Sequence, residues 1–115
     1  MWLIIILFAV GAVVGLTMAV AAFQGRFPPV PSAVVHGLFV AAALVLLLIA
    51  VAVQGATGAA LWALVLFVIA AIGGFALAFG FHARKKPLPK GFVAVHALVA
   101  VVGFLLLLAG VLKLV

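Results

Sequence analysis

Four apolar runs, residues 2–23, 33–53, 59–81 and 91–112, occupy most of this sequence. At ~1.5 Å rise per residue, each is long enough to span the roughly 30 Å hydrocarbon layer of a bilayer as a helix. Inside lipid every backbone N–H and C=O must find its partner within the segment, so runs of this length specify transmembrane helices. With 73% hydrophobic and 5% charged residues in 115 positions, the chain carries more apolar surface than a soluble core of its size could hide. The predicted fold is an all-α membrane protein, a single four-helix transmembrane domain over residues 1–115.

The connectors set the order of these helices. Gln24 to Pro31 contains three prolines and Gly25, which predicts a break in the helix, with Ser32 as N-cap of the next one. Gln54-Gly55-Ala56-Thr57-Gly58 is a short uncharged turn, so the second and third helices are antiparallel neighbours. His82 to Lys90 carries Arg84, Lys85, Lys86 and Lys90 together with Pro87 and Pro89. An up-down-up-down bundle follows. Its net charge of +6 is read as membrane topology and not as a nucleic-acid surface, because five of the six Lys and Arg residues lie in the two proline-containing connectors and only Lys113 lies opposite. That asymmetry predicts cytoplasmic connectors and both termini outside, in a bacterial inner membrane. Ala19-Val20-Ala21 has the form of a signal-peptidase site, but no Lys or Arg precedes the first run, and an uncleaved anchor is expected.

A shift of 60 residues lays Trp2 on Trp62, Arg26 on Lys86, Pro29 on Pro89, His36 on His96 and Leu46-Leu47-Leu48 on Leu106-Leu107-Leu108. This register predicts two parallel two-helix repeats, 2–53 and 62–113, related by a rotation near 180° about the membrane normal. Trp2 and Trp62 would sit at the outer interface. The small-residue patterns Gly11 to Gly15, Ala70 to Gly74 and Ala76 to Gly80 predict close helix packing.

His36 and His96 are the distinctive polar residues of the two units. Each lies seven residues past its matched proline, at one depth below the connector face. The stripes below them, Ala43 and Ala50 beneath His36 and Gly103 and Gly110 beneath His96, are small and predicted to face inward. Imidazoles in hydrocarbon need partners, and plain hydrogen bonding to backbone or water is one way to supply them. The chain contains no Asp, Glu, Asn, Cys or Tyr, which removes carboxylate and thiolate chemistry and leaves zinc short of its usual four ligands. Haem b requires only two axial ligands from protein, here His36 and His96 on the iron. Its propionates would meet Arg26, Arg84, Lys85 and Lys86. Copper held with Met18 and a chlorophyll-type magnesium are further candidates. His82 has Ala22 as its counterpart and is expected at the interface.

Length and helix number suggest small multidrug transporters or fluoride channels, but the membrane-embedded Glu of the former and the pore Asn of the latter are missing. On its architecture and on His36 and His96, the chain resembles four-helix b-type membrane cytochromes of the b561 kind. That resemblance implies haem held between helices, with at most one haem here because no second His pair exists. The expected function is one-haem electron transfer with a quinone or a partner redox subunit in a homo- or hetero-oligomer. The alternative is an accessory subunit of a larger membrane complex; a transporter or channel has a poorer polar lining to work with.

Overall fold

The apolar runs form the expected helices, with two instructive departures. In the computed structural model, which describes residues 1–115, α1 spans Trp2–Phe23, α2 Val30–Ala52, α3 Ala59–Leu77 and α4 Lys90–Val111. A π-helical turn, Ala78–His82, extends α3. All four helices are long and apolar enough to cross a membrane, and there is no strand. The molecule is 41 Å long, close to the roughly 40–45 Å of a bilayer with its headgroups. Only 19 of 115 residues are buried, too few for a water-soluble core. Val13, Leu16, Ile72, Phe75 and Leu98 instead present outward faces that suit lipid. The chain is an integral membrane protein built as a helical bundle.

The first departure is the start of α2. Its N-cap is Pro29, in extended conformation, and Pro31 lies inside the first turn. A proline there removes only an N–H that has no helical partner anyway, so the helix begins at Val30 and not at Ala33. Ser32 is not the cap, and no side chain caps this end.

Neighbouring helices are held close by small residues. A Cβ added at Gly11 would come within 2.6 Å of Val40 Cγ1, and one at Gly15 within 2.8 Å of His36 Cε1. Contacts therefore descend α1 as they climb α2, and the two helices are antiparallel. In the second pair Gly74 lies against His96, Gly103 against Leu66 and Phe67, and Gly110 against Ala59, again antiparallel. Met1, Trp2, Ala56 to Ala60 and Val111 share one end of the bundle. The two basic connectors meet at the other. In the centre Phe8 of α1 stacks on Phe67 of α3 with ring centroids 3.9 Å apart, and Ala43, Leu47, Ala63 and Leu107 around them are essentially inaccessible.

The second departure concerns register. α2 and α4 follow the 60-residue shift: Ala43 and Gly103, then Leu47 and Leu107, are buried in matched positions. α1 and α3 follow a 59-residue shift, in which Ile4, Ile5, Phe8 and Gly11 occupy the places of Ala63, Leu64, Phe67 and Ala70, all buried. The Trp2–Trp62 match is thus not a structural one.

The helix ends return to a shift of 60. Gly25, with φ 73°, and Lys85, with φ 55°, close α1 and the π turn in the same way. The N–H of each donates to the third residue before it, and the N–H of the next residue donates five back, Arg26 to Ala21 and Lys86 to Phe81, which is a Schellman closure. The stretch from Gly74 to Lys85 is therefore one residue longer than the matching stretch from Gly15 to Gly25. A π turn is the backbone form that accommodates a single inserted residue inside a helix, and Ala78–His82 is where it does so.

Candidate functional site

Two of the small-residue patterns seat the two histidines. His36, two turns into α2, donates from Nδ1 to the carbonyl of Gly11 across the helix pair at 2.7 Å. His96, at the same place in α4, donates from Nδ1 to the carbonyl of Ala70 at 2.8 Å. Gly15 and Gly74, one turn further along, leave room for the rings: the Cε1 atoms would stand 2.8 and 3.1 Å from a Cβ at those positions. Gly11 and Gly15, like Ala70 and Gly74, act as a carbonyl and a notch for one imidazole each. The sequence signal for this is a shared small-residue spacing at a shift of 59.

Both rings thereby gain a fixed tautomer. A carbonyl can only accept, so each Nδ1 carries the hydrogen, and in the neutral ring each Nε2 keeps a free lone pair. This is how metal-ligating histidines are commonly oriented: one nitrogen is tied to the backbone and the other is left to the ion. The two rings lie 6.5 Å apart between centroids and are nearly perpendicular, at 78°. Only two such ligands are present, and no group of three or more His, Cys, Asp or Glu occurs. Two imidazoles fall short of zinc's usual set, and only a group that brings further ligands of its own would need no more than these two from the chain.

Among the residues expected at propionates, Arg26 and Lys85 line a cleft of about 1030 Å³ between the two connectors, together with Lys90. Arg84 and Lys86 are exposed and do not line it, and neither His36 nor His96 does. Thr17 donates to the carbonyl of Val14 in its own helix, which commits its hydrogen and leaves only its oxygen lone pairs for other partners.

His82 lies at the connector end of the bundle, as expected, but within the protein and not on its surface. It is 92% buried, donates from Nε2 to the carbonyl of Pro28 at 2.7 Å, and stacks on Phe27 at 4.6 Å. It ties the π turn to the first connector. The partner was hidden from the sequence because it is a backbone carbonyl, although a proline-rich connector necessarily leaves carbonyls without helical partners.

Comparison with protein-family models, with curated proteins and with solved structures finds no match. The chemistry of this chain rests on its own geometry.

Proposed function

We propose that this protein binds a single b-type haem between His36 and His96 and carries electrons within the membrane. The observation that supports it is the matched imidazole pair: 6.5 Å between rings, each Nδ1 committed to a backbone carbonyl of the neighbouring helix, and each Nε2 free. Bound there, haem would supply one-electron oxidation and reduction of its iron. The chain's own part is to present two nitrogens from different helices and to hold their tautomers. Held by both His36 and His96, such a group would serve electron exchange and not the binding of oxygen or substrate. The partner in electron exchange is then a quinone or another redox subunit.

The cations at the connector end orient the protein in this reading. Arg26, Arg84, Lys85, Lys86 and Lys90 sit together at one end, so the connectors face the cytoplasm and both termini face outward, as in a bacterial inner membrane.

A second reading, an accessory subunit without cofactor, draws on the same two hydrogen bonds, since they clamp α1 to α2 and α3 to α4 with no ligand needed. Purification from haem-supplied cells separates the two. One haem per chain by pyridine haemochrome assay, with a Soret band that shifts on reduction, supports the carrier. A colourless, folded protein supports the subunit.

A further inference from the structure

We propose that the cleft between the two connectors is a binding site for one anionic phospholipid, whatever the histidine pair holds. The cleft is walled by Val30, Ala33 and Val34 of α2, by Ala78 and Phe79 of the π turn, and by Leu88 of the second connector. Its upper rim carries Arg26, Lys85 and Lys90. No Asp or Glu exists anywhere in the chain to neutralise them, and the Arg26 guanidinium meets only the side-chain oxygen of Gln24. Three cations at the end of a membrane-spanning bundle, above an apolar trough, form a surface complementary to a phosphate headgroup with its acyl chain beneath.

The trough is open to the side on which lipid lies. Val34 is 54% and Phe79 65% exposed, so an acyl chain can run along them without any side chain moving aside. The backbone adds to the rim. α2 and α4 begin beside the cleft, and no side chain caps either of them, so their first N–H groups and helix dipoles also favour negative charge. Basic pockets of this kind between transmembrane helices select anionic lipids, each Lys or Arg near the surface contributing about fivefold in affinity. A phosphate group is common to lipid headgroups and free phosphate, but the apolar trough serves only the lipid.

The test is native mass spectrometry of the full chain released from nanodiscs of equal parts phosphatidylglycerol and phosphatidylcholine. The expected result is one retained phosphatidylglycerol, undiminished by millimolar inorganic phosphate. Arg26→Gln with Lys90→Gln should lower that retention about tenfold or more. Arg84→Gln with Lys86→Gln, which removes the same charge outside the cleft, should leave it near the wild-type level. The charge-preserving Arg26→Lys with Lys90→Arg should restore retention and exclude a simple loss of folding. Equal retention of the two lipids, an equal effect of the two charge-removing pairs, or displacement of the lipid by phosphate would each overturn the proposal.

Discussion

In the first helix pair α1 runs as regular α-helix to Phe23 and closes on Gly25, whereas in the second α3 passes through the π turn Ala78–His82 before closing on Lys85. Up to that turn the pairs use the same devices at a shift of 59: the stacked Phe8 and Phe67, and the carbonyl-and-notch seats of His36 and His96. Beyond it they correspond at 60. The histidine seats and the connector closures keep matched geometry in both pairs, and the one-residue difference falls between them, at the π turn. It also gives the second pair something the first lacks, a buried His82 that holds the opposite connector through Pro28.

The sharpest way to break this comparison is to remove a residue on the wrong side of the π turn. Deleting Ala71 either turns the rest of α3 by about 100° or moves Phe75, an outward-facing residue, into the place of Gly74 against His96. Loss of a folded, monodisperse protein by size exclusion and circular dichroism is expected. Next in size is Gly15→Ala, whose Cβ would stand 2.8 Å from His36 Cε1 and 2.9 Å from its Nδ1. Overpacking of this kind costs about 1–3 kcal/mol, read as a lower melting temperature in detergent.

His82→Ala leaves the buried Pro28 carbonyl without a donor and removes the stacking on Phe27. A loss of about 1–3 kcal/mol in the same measurement is expected. The smallest effects fall to two changes in the second pair. Gly74→Ala meets His96 Cε1 at 3.1 Å, a strain that the roughly 0.5–1 kcal/mol gain of Ala over Gly in a helix offsets. Deleting Gly80 should convert the π turn to α-helix and change stability by less than about 1 kcal/mol. If the Gly80 and Ala71 deletions were equally damaging, the one-residue insertion would be misplaced.

The helices and the pairing of His36 with His96 were legible in the sequence because they depend on what side chains show: apolar length, prolines, and polar residues repeated at one spacing. The start of α2 was less so, since Pro31 signals a break and a first turn equally well. What stayed hidden depends on the backbone. Nothing about Gly11, Ala70 or Pro28 as residues announces that their carbonyls receive a histidine 25, 26 or 54 residues away. The 59-residue shift was masked by Trp2 and Trp62, which align at 60 but occupy non-equivalent positions. Aligning Phe8 with Phe67 and Gly15 with Gly74 would have exposed it. The division of the cations, with Arg26, Lys85 and Lys90 around the cleft and Arg84 and Lys86 outside it, depends on how the two connectors come together and is not visible in composition.

The most direct test of the paired-imidazole account is the visible spectrum of the wild-type protein set beside His36→Ala, His96→Ala and His82→Ala, all purified from haem-supplied cells. A low-spin haem spectrum in the wild type, its loss in either His36→Ala or His96→Ala with helical content intact, and its retention in His82→Ala is the predicted pattern. Helical content should survive because each helix satisfies its own backbone. A wild-type protein without visible absorbance, or a haem spectrum unchanged when His36 or His96 is replaced, would contradict the account.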